Sequence, residues 1–124
     1  MVDATDGTTT RLTGDELLAA LSALANPHRL RIVASLTQGR NYVSQLARDL
    51  GIGRPLLHMH LQRLETAGLV TSRLELSDDG KAMRYFEVAP FLLDVSPAGI
   101  AAAVETLLRD GSGEAPGGKG SEER

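Results

Sequence analysis

The chain has 124 residues, of which 42% are apolar and 3% aromatic, and it carries a net charge of −3 and no cysteine. The lack of cysteine excludes disulfides, thiolate metal sites and thiol nucleophiles. No apolar run reaches the roughly 18 residues needed to cross a bilayer, and the N-terminus lacks the apolar segment of a secretory signal. We therefore expect a cytoplasmic protein with no membrane anchor, built around one mainly aliphatic core.

Composition divides the chain into three segments. Residues 1–12 are polar and Thr-rich, which predicts a flexible N-terminus. Residues 111–124 are rich in Gly, Ser and Glu, which predicts a disordered tail. The segment 13–110 between them has the size of one domain.

The charge is unevenly distributed along the chain. Seven arginines and only two acidic residues lie between Pro27 and Arg73, whereas acidic residues gather towards both ends. A basic middle segment attracts nucleic acid even when the net charge is negative. Solvated arginines on helix surfaces explain the same pattern equally well, so charge alone leaves both interpretations open.

Four helices are predicted before any strand. Thr13 and Glu16 have the spacing of a capping box at the start of the first, and Asn26 caps the second, with Pro27 in its first turn. Apolar residues recur at helical spacing in both. These residues are Leu17, Leu18, Leu21 and Leu24 in the first helix, and Leu30, Ile32, Val33 and Leu36 in the second.

The third and fourth helices, about 43–50 and 54–67, are predicted to form a helix-turn-helix. Two helices that cross steeply need a small residue at their contact, a residue free to turn between them, and an apolar anchor in the second helix. Ala47, Gly51 and Leu57 meet these needs in that order. The second helix of such a unit enters the DNA major groove.

After Gly68 the apolar period changes from helical spacing to alternation. LVTSRLEL and AMRYFEV read as two strands joined by the turn SDDGK, and Tyr85 or Phe86 is expected to anchor this hairpin in the core. A last helix begins at Ser96-Pro97 and runs to about Asp110. The predicted fold is mostly α with a small β-hairpin wing, a winged helix-turn-helix in the order α-α-α-α-β-β-α.

The side of the fourth helix opposite its leucines is polar and basic. Arginine can pair with guanine or phosphate, glutamine can pair with adenine, and methionine can touch the thymine methyl group. The start of the third helix and the hairpin supply donors suited to phosphate. The predicted DNA-binding residues are Ser44, Gln45, Arg54, Pro55, His58, Met59, Gln62, Arg63, Arg73, Lys81 and Arg84.

Three stretches, LANPHRLRIVASL, SQLARDLGIGRPLLHMHLQRLETAGLV and DDGKAMRYFEV, resemble the winged helix-turn-helix regulators of the ArsR type. The resemblance implies a homodimer, joined through its first and last helices, that binds a near-palindromic site on double-stranded DNA. It also implies a transcriptional regulator, usually a repressor. The predicted dimer contacts are Leu17, Leu21, Ile100, Val104, Leu107 and Leu108.

The chain departs from the metal-sensing members of that family. Those members carry Cys-x-Cys in the helix that matches residues 43–50, or Asp and His ligands on the last helix, and this chain has YVSQLARDL and no histidine at these places. His58 and His60 point about 200° apart on a helix, so they cannot chelate one ion from one chain. We expect no metal and no cofactor. His28 is expected to cap or pack at the start of the second helix, and His60 is expected to pack beside the leucines of the fourth helix.

Two other classes of function compete with a DNA-binding regulator. The same fold serves some proteins as a protein–protein interaction module, although such a module does not need a basic middle segment. Nothing in the chain has the spacing of a catalytic triad, a phosphate loop or a carboxylate pair, so an enzyme is not expected. The effector stays open: a small apolar ligand between helices, a partner protein or no effector each fits the sequence.

Overall fold

The computed structural model describes residues 12–107, which form five helices and three short strands. In chain order the elements are α1 (Gly14–Leu24), α2 (Pro27–Leu36), β1 (Asn41–Tyr42), α3 (Val43–Leu50), α4 (Arg54–Thr66), β2 (Val70–Leu76), β3 (Ala82–Val88) and α5 (Pro97–Val104). The strands form one antiparallel sheet in the order β1-β3-β2. The predicted fold class is confirmed, with β1 as an addition, because a two-residue strand is too short to show alternation.

The predicted helix starts are confirmed in atomic detail. Thr13 Oγ1 accepts a hydrogen bond from the Glu16 N–H at 3.1 Å, and Glu16 Oε1 accepts one from the Thr13 N–H at 2.9 Å. The Asn26 side chain accepts hydrogen bonds from the N–H groups of residues 28 and 29, and Pro27 occupies the first turn of α2. These contacts satisfy N–H groups that have no partner within the helix.

The chain divides into two compact units. One is Ala19–Phe91, and the described part of the other comprises residues 12–18 and 92–107. In the larger unit, helices α2 to α4 and the sheet bury an aliphatic core that contains the leucine stripe of α4. Its most deeply buried aliphatic residues are Ile32, Leu46, Leu57, Leu61, Leu64 and Val70.

Two leucines of the apolar series predicted in the first two helices are exposed. Leu30 is 55% exposed, because on a helix it lies about 200° from Ile32, which faces the core. Leu18 is also exposed, about 100° around α1 from the buried Leu17. Apolar content alone therefore overstated the width of the buried faces of α1 and α2.

The hairpin of β2 and β3 packs on the helices, as predicted. Its register pairs Val70 with Val88 at the base and Leu76 with Ala82 near the turn. Phe86 is buried and Tyr85 is half-buried, so Phe86 is the aromatic anchor. Ordering the hairpin in this way fixes the wing beside α4.

In the smaller unit, α5 is shorter than predicted. It ends at Val104, where the Thr106 Oγ1 donates a hydrogen bond to the Ala103 carbonyl at 2.9 Å and the backbone continues in tight turns. A threonine that bonds to the backbone in this way competes with continuation of the helix. Residues 108–110 lie outside the described residues, as do the predicted tail 111–124 and, except for residue 12, the predicted flexible segment 1–12.

Gly14 is required by close packing within the smaller unit. A Cβ atom at this position would lie 2.5 Å from the Ala103 carbonyl oxygen and 2.6 Å from the Leu107 Cγ. The Gly14 N–H donates to Thr106 Oγ1 at 2.7 Å. The start of α1 therefore lies directly against the end of α5.

Candidate nucleic-acid interface

The turn between α3 and α4 has the geometry predicted for a helix-turn-helix. Gly51 ends α3 with φ +68, a left-handed conformation that costs other residues energy. The Ile52 N–H donates to the Ala47 carbonyl at 3.1 Å, and Ala47 and Leu57 are both buried. The small contact residue, the turn residue and the apolar anchor thus take their predicted places.

Helix α4 separates sharply into a buried side and an exposed side. Leu57, His60, Leu61 and Leu64 are buried. The exposed side, named the reading face here, carries all six residues predicted for this helix. It comprises Arg54, Pro55, His58, Met59, Gln62 and Arg63. With its leucine side held in the core, the helix presents this face as a rigid surface with donors, acceptors and a thioether.

At the start of α3, Ser44 and Gln45 are half-buried. Gln45 Nε2 donates to Asp49 Oδ1 at 2.8 Å, and Gln45 Oε1 accepts from Arg48 Nη2 at 2.6 Å. Gln45 is thus held in a local network that includes a carboxylate, which the sequence pattern did not reveal.

The wing carries its predicted cations in different environments. Arg73 and Lys81 are exposed, and the Arg73 Nη1 lies a loose 3.9 Å from the Glu75 carboxylate. Arg84 donates from Nη1 to Ser72 Oγ at 3.1 Å, and that hydroxyl donates to Glu65 Oε2 of α4 at 2.7 Å. Ser72 therefore ties the wing to α4, and Arg84 is bonded to the same hydroxyl, an arrangement that the sequence pattern did not reveal.

One arginine of the basic middle segment, Arg40, forms an ion pair with the wing. Arg40 Nη1 lies 2.6 Å from Glu75 Oε2, and its guanidinium lies 4.3 Å from the centre of the Tyr85 ring. The hydrogen bond from Arg40 lowers the pKa of the Glu75 carboxyl. Arg40 thus contributes less free positive charge than the sequence suggested.

His60 of α4 is a packed histidine, as predicted. It is 2% exposed, its Nδ1 accepts a hydrogen bond from Arg29 Nε at 3.1 Å, and its ring lies 5.3 Å from that of His28. Burial lowers the pKa of His60, and the charge of Arg29 lowers it further. Arg29 is more than a solvated charge, because it links α2 to α4 through His60 and its Nη1 donates to the Ala23 carbonyl at 3.3 Å.

Stability should therefore depend on pH through His60. The unfolded chain takes up a proton there near pH 6.5, whereas the folded chain does so only at lower pH. The free energy of unfolding should accordingly fall as the pH drops below about 6.5. Urea unfolding across a pH series measures this slope.

Two histidine variants locate the origin of that slope. The slope should flatten in His60→Gln, whose amide oxygen can still accept from Arg29. It should persist in His58→Gln, which changes an exposed histidine of the same helix. An unchanged slope in His60→Gln would contradict this assignment.

The predicted dimer residues differ in accessibility. Ile100 and Val104 of α5 are 42% and 54% exposed, and Leu21 and Leu107 are half-buried. Leu17 is buried within the chain, and Leu108 lies outside the described residues.

Between residues 12 and 107 no group of three or more His, Cys, Asp or Glu side chains is placed to hold a metal ion. No helix in that range is long and apolar enough to span a membrane.

The sequence matches known regulators over the same region. The family model for bacterial regulatory proteins of the arsR family matches residues 26–72. An uncharacterized HTH-type transcriptional regulator of Methanocaldococcus jannaschii is 36% identical over 69 residues, which cover 56% of this chain and 72% of that protein. The biofilm growth-associated repressor of Xylella fastidiosa is 36% identical over 59 residues, 48% of this chain and 52% of the repressor. The chain thus spans about half the length of the Xylella protein.

Solved structures share the fold. The homodimeric winged helix-turn-helix DNA-binding domain of a Mycobacterium bovis protein is 30% identical, with a TM-score of 0.55, covering 73% of this chain and 78% of that one. The transcriptional regulator HlyU from Vibrio vulnificus is 26% identical, with a TM-score of 0.51. The match covers 73% of this chain and 83% of HlyU. The family model, the Methanocaldococcus regulator and the solved structures all match this chain. It therefore belongs to the arsR family of bacterial regulatory proteins, which are transcriptional regulators with a winged helix-turn-helix.

Proposed function

We propose that this protein binds a specific site on double-stranded DNA as a homodimer and controls transcription, with the reading face of α4 in the major groove. The observation that carries the proposal is the division of α4. Its leucine side is buried in the core, and all six residues of the reading face are exposed, four of them polar or basic. In this role the protein acts by binding rather than by catalysis, and it meets its DNA in the cytoplasm.

The other predicted DNA-binding residues have supporting roles in this proposal. Ser44 and Gln45 would contact phosphate at the start of α3, and Arg73 and Lys81 would do so from the wing. Arg84 is bonded to Ser72 and would position the wing as well as contact the DNA backbone. Specificity then depends on Arg54, His58, Met59 and Gln62.

A homodimer is supported by the smaller unit and by a relative. Ile100 and Val104 present exposed apolar side chains on α5, and the solved Mycobacterium bovis domain is homodimeric. Two copies of α4 would then lie about one helical turn of DNA apart, ~34 Å, on a near-palindrome. The Xylella relative is a repressor, which supports repression as the mode of control.

Selection from a pool of random duplexes tests the proposal without knowledge of the operator. The full chain should enrich a near-palindromic sequence and bind it at two chains per duplex. Fluorescence anisotropy should show an affinity for that duplex that exceeds the affinity for a scrambled one and that falls steeply with salt. Enrichment of no sequence would contradict specific recognition. Binding of one chain to an asymmetric site would contradict the homodimer.

A further inference from the structure

A groove of about 490 Å³ opens between the second half of α1, the first turn of α2 and the C-terminal half of α4. Its apolar lining includes Ala19 and Ala23 of α1 and Met59 of α4, and its charged lining consists of Arg29 and Arg63. The volume lies within the range of small-molecule sites, roughly 300–1,000 Å³. The lining thus combines a small-residue floor with two cations.

No acidic side chain within residues 12–107 offsets the positive charge of this groove. Among the described residues, none that lines the groove is acidic, and neither arginine forms an ion pair with a described carboxylate. Arg29 donates to Nδ1 of His60, and that nitrogen accepts a hydrogen bond only while the imidazole is neutral. The histidine therefore orients Arg29 and leaves its charge unbalanced.

Arg29 is held in place at the groove wall. Its Nε and Nη1 each donate one hydrogen bond, to His60 and to the Ala23 carbonyl, and a guanidinium has five N–H donors in all. A fixed guanidinium with remaining donors is suited to carboxylate, which it binds by paired, charge-assisted hydrogen bonds. Arg63 is exposed on α4 and adds a second cation at the same opening.

We propose that this groove binds a small organic acid, with its carboxylate on Arg29 and Arg63 and its apolar body on Ala19, Ala23 and Met59. The apolar floor favours an organic acid over a simple inorganic anion, because burial of its body adds to the ionic contact. The uncharged polar part of the lining, which comprises the hydroxyls of Ser22 and Thr66 and the amide of Gln62, can orient polar substituents.

The site would couple to DNA binding, a step that rests on the proposed function. Met59, Gln62 and Arg63 line the groove and also belong to the reading face. Bound acid and bound DNA then compete for the same side chains, so each lowers the affinity of the other. The acid would release the regulator from its operator.

Calorimetric titration of the full chain, without DNA, tests the site itself. The probes are benzoate, phenylacetate and octanoate at up to millimolar concentration, their neutral amides, and inorganic phosphate. We expect at least one acid to bind, with its amide roughly tenfold weaker because the charge-assisted bonds are lost. If no acid binds, if each amide equals its acid, or if phosphate binds as tightly as the best acid, the proposal is overturned.

Two arginine variants localise the binding. Arg63→Gln should weaken the best acid by roughly tenfold. Arg31→Gln removes an exposed arginine of α2 that does not line the groove, and it should leave the affinity unchanged. Equal losses in both variants would indicate general attraction to a basic surface and would overturn the proposal.

A DNA competition experiment then separates this site from the proposed function. The best acid should weaken binding to the selected duplex. If the acid binds but no DNA binds, the organic-acid site is supported and the proposed function is overturned. If DNA binds but no acid binds, the proposed function is supported and the organic-acid site is overturned.

Discussion

Replacing Leu57 by alanine is expected to lower the free energy of unfolding by about 2–5 kcal/mol, because a fully buried leucine leaves a cavity when truncated. Leu57 is 0% exposed and lies where α4 meets the rest of the helix-turn-helix core. Its neighbour Leu56 is 39% exposed and offers a matched control. The same truncation at Leu56 should cost about 0.5 kcal/mol, as surface changes do.

Urea unfolding of the two variants measures this difference. The loss in Leu57→Ala should appear as a lower midpoint with an unchanged slope. Similar losses in both variants would mean that Leu57 is not the anchor of α4. Because Leu57 fixes how the reading face is presented, operator affinity should also fall further in Leu57→Ala than in Leu56→Ala.

The features that could be predicted from sequence are local ones. Thr13, Asn26 and Gly51 act on backbone groups within three or four residues of themselves, so their chemistry fixes where helices begin and turn. The leucine spacing of α4 likewise determines which of its sides is buried. The reading face follows from that spacing without any knowledge of distant contacts.

The features that could not be predicted are pairings between distant positions. Arg29 meets His60 across 31 residues, and Arg40 meets Glu75 across 35. Each arginine looks like a surface charge in the sequence, since nothing within its own helix or loop requires a partner. The packing of α2 on α4 and of the wing on β1 creates these contacts, and only the fold brings the partners together.

Arg54 is expected to provide the largest single contribution to base recognition. It is exposed in the first turn of α4, the end of a recognition helix that meets base edges. If its guanidinium pairs with guanine, Arg54→Ala should cost about 1–3 kcal/mol of operator affinity and relax the preference at one position. Arg63 is exposed near the other end of α4, and we predict that it contacts the phosphate backbone of the DNA. Arg63→Ala should then weaken all sequences to a similar extent.

An affinity scan of the operator by fluorescence anisotropy tests base recognition by Arg54 directly. The unmodified protein and Arg54→Ala are titrated against the selected duplex and against every single base-pair change in one half-site, with Arg63→Ala as the control. Arg54→Ala should lose discrimination at one G·C pair and keep it at the other positions. A uniform loss at every position, identical to that of Arg63→Ala, would contradict base reading by Arg54 and would make it a phosphate contact.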